Sequence, residues 1–291
     1  MKLAAIDIGT NSIRLLLCKK EKEGFKAIKR RLEVPRLGAG SKEDYLTASA
    51  IKRSIDVLRE YKQEAKQEGA EIIAVATSAV REAKNKDEFL KKVKAELGIK
   101  IKVLSGKKEA QIAYQGMVKS FNKLSKDILT IDIGGGSTEL IYGNQNQYFD
   151  YSSFKLGAIR LTEEFEESFI AMANKVKRVL KPYLKRKKVK QLLGAGGTIT
   201  TLAAVKNSLA EYDHDLIHGE KLTRQDIKRI FKRLKKLPLV ERQKVAGLDA
   251  DRADIILAGT IILQAIMEII DITEITVSDQ GLLEGVVYNY N

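Results

Sequence analysis

The sequence predicts an α/β fold built from two like halves, and three observations carry that expectation. The phrase Ile6-Asp7-Ile8-Gly9 returns as Ile131-Asp132-Ile133-Gly134, and Ser12 returns as Ser137, both 125 residues on (132 − 7, 137 − 12). Each copy sits between two apolar runs, the pattern of a buried hairpin with an acidic, glycine-bearing tip. Elsewhere, short apolar runs alternate with stretches of helical periodicity, which is the signature of the α/β class. At 291 residues the chain exceeds one average domain, and the repeat divides it near residues 118 to 126. The expected domains are 1–120 with a C-terminal helix over 279–291, and 121–278.

The elements follow in order. Leu3 to Ile8 reads as a buried strand, with a second apolar run after the tip. Ser49 to Gly69 is an amphipathic helix with Ile51, Ile55, Leu58 and Ala65 inward, stopped by Gly69. Glu71 to Ala76 is a strand that ends in the polar turn Thr77-Ser78. Glu88 to Leu97 is a helix closed by Gly98, Ile101 to Leu104 a strand, and Lys107 to Lys119 a helix crossing toward the second half. There Ile128 to Ile133 repeats the first strand. Gln191 to Leu193 is a strand running into Gly194-Ala195-Gly196-Gly197-Thr198, with Thr198 or Thr200 opening the next helix. Ile255 to Ile270 is interrupted by Gln264 and Glu268, too short for a membrane span and better read as a buried helix.

The two tips carry the chemistry. One combines Asp7 with Gly9, Thr10, Asn11 and Ser12; the other combines Asp132 with Gly134, Gly135, Gly136, Ser137 and Thr138. Three glycines in a row let successive backbone N–H groups face one concavity and let an anion approach closely. A bare carboxylate beside such a nest would repel phosphate, so a cation is required, and Mg²⁺ is the natural mediator. Asp and Gly are also ordinary turn residues, but their return at matched spacing favours a pair of phosphate loops facing one cleft.

Charge narrows the partners. The formal net charge is +14. Lys177 to Lys190 holds Lys177, Arg178, Lys181, Lys185, Arg186, Lys187, Lys188 and Lys190 and no acid. From Asp226 to Leu237, Ile227, Ile230, Phe231, Leu234 and Leu237 follow helical spacing and leave Lys228, Arg229, Lys232, Arg233, Lys235 and Lys236 on the wet side. Either run alone could be a solvated face; together they favour a polyanion. No zinc-ligand spacing, helix-turn-helix cue or aromatic-rich strand accompanies them, and tryptophan is absent, so a phosphate chain fits better than a specific nucleic acid. The single cysteine, Cys18, reads as a small buried thiol. The few apolar residues before Asp7 are too short for a signal-peptide core, which points to a cytoplasmic protein with no membrane role.

Two further residues stand out by position. Glu109 opens a helix after Ser105-Gly106 in the joining segment, where its plain reading is a surface acid near a helix N-terminus. Arg81 follows a strand end and could reach the same cleft. His214 and His218, among Asp213, Asp215 and Glu220, mimic a metal cluster but lack a ligand pattern and read as polar-loop residues.

Taken in order, Asp7 to Ser12, Ala76 to Ala83 (ATSAVREA), Leu104-Ser105-Gly106 with Glu109-Ala110, Asp132 to Leu140 (DIGGGSTEL), Leu156 to Thr162 (LGAIRLT), Gly194 to Thr198, Arg252-Ala253-Asp254, and Ser278-Asp279 with Glu284-Gly285 resemble the exopolyphosphatase and guanosine pentaphosphate phosphohydrolase (Ppx/GppA) family. The matches cover nearly the whole chain. The resemblance implies two ribonuclease-H-like domains of the actin-like ATPase superfamily around a central cleft, in the family's short two-domain form.

Carried over residue by residue, the resemblance makes Glu109 the general base that activates water and Arg81 a phosphate ligand. It makes Gly134, Gly135, Gly136, Ser137 and Thr138 the cradle for terminal phosphates. Thr10, Asn11, Ser12 and Arg14 are implied as contacts from the opposite tip. Asp7, Asp132 and Glu139 would hold Mg²⁺ directly or through water, with another divalent ion or an activating monovalent ion as alternatives. Gly196, Gly197 and Thr198 correspond to a nucleotide loop in related ATPases. Lys107-Lys108 stand where many relatives carry another acid. The implied reaction is removal of the terminal phosphate of inorganic polyphosphate by water. Guanosine pentaphosphate hydrolysis and an actin-like ATP-binding module are the alternatives, and a homodimer is left open. A dinucleotide dehydrogenase is disfavoured, because Ile199 occupies the last glycine position of that fingerprint.

Overall fold

The structure, a computed structural model, describes residues 1–22, 24–39 and 44–290. The chain divides into two compact units, one of Met1–Gly116 with Leu282–Asn291 and one of Met117–Gly281.

In the first unit, β1 (Lys2–Ile8), β2 (Ile13–Lys20) and β3 (Phe25–Glu33) form an antiparallel meander. The helix α1 (Ala48–Gln67) then leads to β4 (Glu71–Ala76), the helices α2 (Ser78–Glu82) and α3 (Lys86–Leu97) to β5 (Ile101–Val103), and α4 (Gly106–Lys119) leaves the unit. The strands β4 and β5 run parallel to β1, giving the order β3-β2-β1-β4-β5. Thr47 caps α1 by accepting from Ala50 N–H at 3.2 Å, and Gly98, at φ +66°, closes α3 in the left-handed conformation that costs glycine nothing. Alternate residues of the hairpin, Ile6, Ile8, Ile13, Leu15 and Leu17, share one core with Ile51, Ile55 and Leu58 of α1 and Phe89 and Val93 of α3.

The second unit repeats the plan. Its meander is β6 (Ile128–Ile133), β7 (Thr138–Gly143) and β8 (Tyr148–Phe154), followed by α5 (Ala158–Phe165), α6 (Phe169–Leu184), β9 (Gln191–Ala195), α7 (Gly197–Lys206) and α8 (His214–Ile217). Then come β10 (Lys221–Thr223), α9 (Arg224–Lys235), α10 (Leu239–Arg242), α11 (Ile256–Ile269) and β11 (Glu274–Val277), and α12 (Leu282–Tyr288) returns to the first unit. The sheet order is β10-β11-β9-β6-β7-β8, so β8-β7-β6-β9-β11 matches the first unit and β10 is an added antiparallel edge. Three antiparallel strands continued by two parallel ones in this order are the ribonuclease-H-like arrangement, present twice. Helix α11 is apolar around most of its circumference, with Gln264 and Glu268 the polar exceptions, and is correspondingly buried.

Several sequence expectations are corrected. The third strands β3 and β8 were not anticipated, because an edge strand with one pairing partner carries polar residues on both faces. Helix α7 starts at Gly197 from Gly196 (φ +89°), without a threonine cap; Thr200 is already inside it. The C-terminal helix begins at Leu282 and not 279, since Ser278 and Gln280 close a turn through Ser278 Oγ to Gln280 O at 2.7 Å; Asn291 lies outside the described residues. The basic run 177–190 is helical only to Leu184. Among the described residues no helix is long and apolar enough to cross a membrane.

Candidate active site

Within the first unit, the candidate residues gather at the carboxyl ends of β1, β4 and β5. Gly9 N–H donates to Ser12 O at 3.0 Å and closes the tip. The carbonyls of Thr10 and Asn11 are pulled away from the tip by Gly38 N–H and Arg36 N–H, both at 2.9 Å. A Cβ on Gly38 would lie 2.3 Å from Thr10 Cγ2, so that approach needs glycine. Thr10 Oγ1 bonds Ser78 Oγ at 2.9 Å, tying the tip to the start of α2. Asn11 is buried, and neither polar atom of its side chain has a partner among the described residues.

Asp7 is buried and paired with Arg14, directly opposite it in the β1–β2 ladder, at 2.6 Å through Oδ2. Its Oδ1 is buried without a hydrogen-bond partner among the described residues. From the next strands, Arg81 on α2 and Glu109 on α4 meet at 2.5 Å, and Arg81 Nη1 also donates to Leu104 O at 3.2 Å. Glu109 is only 8% exposed. Arg81, expected as a phosphate ligand, therefore holds the carboxylate expected as the base.

Within the second unit, the same end of the sheet carries the second tip. Gly134 N–H donates to Ser137 O at 3.0 Å, the counterpart of the Gly9 bond. Here α5 pins the carbonyls: Ala158 N–H binds Gly134 O at 2.9 Å, Ile159 N–H binds Gly135 O at 2.9 Å, and Arg160 Nε binds Gly136 O at 3.1 Å. The N–H groups of Gly135, Gly136 and Ser137 meet no acceptor among the described residues. A peptide plane points its C=O and the following N–H in opposite directions, so pinned carbonyls leave three amides facing away from α5. A Cβ on Gly157 would come within 2.2 Å of Gly135 O, which explains the glycine where α5 meets the loop.

Asp132 and Glu139 stand directly opposite each other across β6 and β7, at the register that holds Asp7 and Arg14 in the first unit. Glu139 Oε1 also accepts from Ser153 Oγ on β8 at 2.7 Å. Gly196 backs onto Asp132, and a Cβ there would fall 2.4 Å from Asp132 Oδ1. The Arg252 guanidinium lies against Gly197, where a Cβ would be 1.1 Å from Nη1. Near this loop Tyr212 and His214 both bind the Asp279 carboxylate, and burial followed by Asp279 raises the Tyr212 phenol well above its ordinary range.

Two threonines of the sequence reading have their side chains engaged inside the unit. Thr138 is fully buried and its hydroxyl donates to Leu156 O at 2.5 Å, so its side chain anchors the segment before α5. Thr198 packs its side chain against Gly259 of α11, away from the loop mouth. Among the described residues no three His, Cys, Asp or Glu side chains gather as a metal cluster; His214 opens α8 and His218 caps its end. The sequence reading assigned no role to Arg36, Gly38, Gly157 or Arg160; Gly157 and Arg160 were visible in the LGAIRLT motif, but their partners are 21 to 24 residues away.

Comparison with known proteins agrees with this geometry. Residues 16–290 match the model of the Ppx/GppA phosphatase family. The chain is 30% identical to Exopolyphosphatase 2 of Mycobacterium tuberculosis, over 98% of this chain and 97% of that protein. It is 38% identical to the Bifunctional 3-dehydroquinate synthase/phosphatase of Fusobacterium nucleatum, covering 98% of this chain but spanning only 46% of that longer protein. Among solved structures it is similar to the Aquifex aeolicus PPX-GPPA enzyme (TM-score 0.85, 35% identity, 100% of this chain and 99% of that chain). It is also similar to an exopolyphosphatase from Cytophaga hutchinsonii (TM-score 0.92, 28% identity, 99% and 97%). The chain belongs to the Ppx/GppA phosphatase family, enzymes that hydrolyse phosphoanhydrides.

Proposed function

We propose that this enzyme is an exopolyphosphatase, removing the terminal phosphate of inorganic polyphosphate with water. The observation that carries the reading is the row of amides at Gly135, Gly136 and Ser137, turned outward by three pinned carbonyls and built to receive phosphate oxygens. Thr10, Asn11 and Ser12 offer the same construction in the first unit, where the unpartnered Asn11 amide adds a side-chain donor.

Glu109 takes a proton from the attacking water. Arg81 keeps that carboxylate oriented. General-base help is worth about two to four orders of magnitude, so most of the acceleration comes from amides and cations that cancel phosphoryl charge. Like charges directly opposite in a ladder destabilise it, and Asp132 and Glu139 fit a hard cation between them and the substrate. Mg²⁺ is commonly held by one or two carboxylates plus phosphates and not by an all-protein cage, which suits a site without a three-carboxylate cluster. Bound there, Mg²⁺ would neutralise charge on the phosphoanhydride.

The basic helices serve the rest of the polyanion. Arg178, Lys181 and Lys185 line a hollow of about 390 Å³ along α6 and meet no acid among the described residues, whereas Lys177, Lys187 and Lys190 are paired with Glu268, Asp150 and Asp127. On α9 the basic residues are exposed as the periodicity required. The reading is tested by phosphate release from polyphosphate, guanosine pentaphosphate and ATP, with and without Mg²⁺, for wild type and Glu109→Gln. The substitution is expected to leave polyphosphate binding intact and lower turnover at least about a hundredfold. Near-normal turnover in the variant would refute the base, and faster release from the nucleotide than from polyphosphate would refute the substrate.

A further inference from the structure

We propose that Arg160 is a positioning residue that sets the direction of the Ser137 amide, and with it the strength of the phosphate cradle; this rests on the reading of that loop as a phosphate site. Of the three carbonyls of the glycine loop, Gly134 O is held by Ala158 N–H and Gly135 O by the N–H groups of Ile159 and Arg160, all backbone groups that any residue would supply. The third, Gly136 O, is held by the Arg160 side chain through Nε at 3.1 Å. Because a carbonyl and the next N–H share one rigid plane, Gly134 O fixes the Gly135 amide, Gly135 O fixes the Gly136 amide, and Gly136 O fixes the Ser137 amide. Gly136 imposes little steric restriction on the ψ torsion on its side of the plane, so the Gly136–Ser137 plane has a weaker local preference for the productive orientation than a plane between two substituted residues. Arg160 strengthens it.

Two comparisons within the molecule support this assignment. At the repeat-equivalent carbonyl of the first unit, Asn11 O, the donor is the backbone N–H of Arg36 at 2.9 Å, and the residues that flank the plane are Asn11 and Ser12. In the tip with side chains the Thr10 and Asn11 carbonyls are met by backbone donors; the tip made of glycines recruits a guanidinium for Gly136 O. Arg160 also occupies the third position of α5, counted after the Gly157 cap, and the first turn of that helix contains no acid. Acidic or amide residues suit this position, and a cation opposes the helix dipole. A residue placed against its local preference marks a functional constraint.

The test uses the full-length protein and inorganic tripolyphosphate as probe. Arg160→Ala is expected to weaken tripolyphosphate binding by calorimetry on the order of tenfold, the loss of one charge-assisted hydrogen bond, and to raise KM in proportion. Thermal midpoint should stay within a few degrees of wild type, and added guanidinium ion should recover part of the binding. Arg160→Lys, which keeps the charge but cannot reproduce the Nε geometry, should resemble Arg160→Ala. Wild-type binding in either variant overturns the proposal, as does a loss that tracks a fall in thermal midpoint and does not respond to guanidinium. Wild type that binds tripolyphosphate without hydrolysing it would defeat the proposed function and leave this inference standing; wild type that fails to bind it would defeat both.

Discussion

Asp132 faces Glu139 across the β6–β7 ladder at the register where the first unit pairs Asp7 with Arg14. One hairpin neutralises its acid internally at 2.6 Å; the other sets two carboxylates side by side, with Ser153 donating to one of them.

That arrangement predicts a metal-dependent stability. Opposed like charges cost about 0.2–1 kcal/mol, so Glu139→Gln should raise the thermal midpoint in chelator-treated buffer by roughly 1–3 °C and abolish the rise that Mg²⁺ gives wild type. Thermal melts with and without Mg²⁺ check it; an unchanged Mg²⁺ response in the variant counts against a cation at this pair.

Gly157→Ala should damage the cradle from behind. The added Cβ would sit 2.2 Å from Gly135 O and 2.5 Å from Gly136 C, and overpacking of this kind costs about 1–3 kcal/mol. Weaker tripolyphosphate binding by on the order of tenfold is expected, whereas Gly219→Ala, with nothing within 4 Å of its Cβ position, should bind normally despite its strained φ. Equal binding by the two variants would remove the packing argument.

Cys18 should make stability fall at high pH. Burial pushes its thiol up to about 11, with Arg30 opposing and Glu284 adding. An unfolded thiol ionises from about 9 and sheds its proton first, so stability is complete below that pH and declines until the folded thiol also ionises near 11. Between pH 8 and 10.5, wild type should lose about 2 kcal/mol relative to Cys18→Ala. Urea midpoints at the two pH values measure it, and parallel losses would show that the thiol plays no part.

Salt should discriminate by chain length. If Arg178, Lys181 and Lys185 grip the polyanion beyond its reacting end, added salt weakens long polyphosphate more than tripolyphosphate, because each extra phosphate contact releases counterions. Lys181→Glu should narrow the gap between long and short chains. Identical salt slopes for both lengths would leave the basic face of α6 without a role in binding.

What the sequence revealed, and what it hid, follows from the range of each interaction. The Asp-Ile-Gly tips were legible because backbone conformation is set by adjacent residues, and the α11 helix because continuous apolarity leaves only burial. The fully buried Cys18 was legible for a similar reason. The β3 and β8 strands escaped because an edge strand has little apolar alternation to detect. The Thr138 hydroxyl's bond to Leu156 O was not legible, because its partner is 18 residues away. The Arg81–Glu109 pair and the Arg160 bond join residues 28 and 24 apart, so no window of sequence holds both ends of either.

Helix α12 has a consequence for the order in which the protein matures. It belongs to the first unit, where Gly285 lies against Ile112 so closely that a Cβ would fall 1.9 Å from its carbonyl oxygen, and Glu284 pairs with Arg30. During synthesis the middle of the chain is therefore finished on the ribosome while the opening hairpin still lacks its covering helix. The hairpin is made well before α12 yet is among the last parts of its unit to be sealed, and a nascent chain spends the interval with an unfinished apolar face that chaperones can recognise.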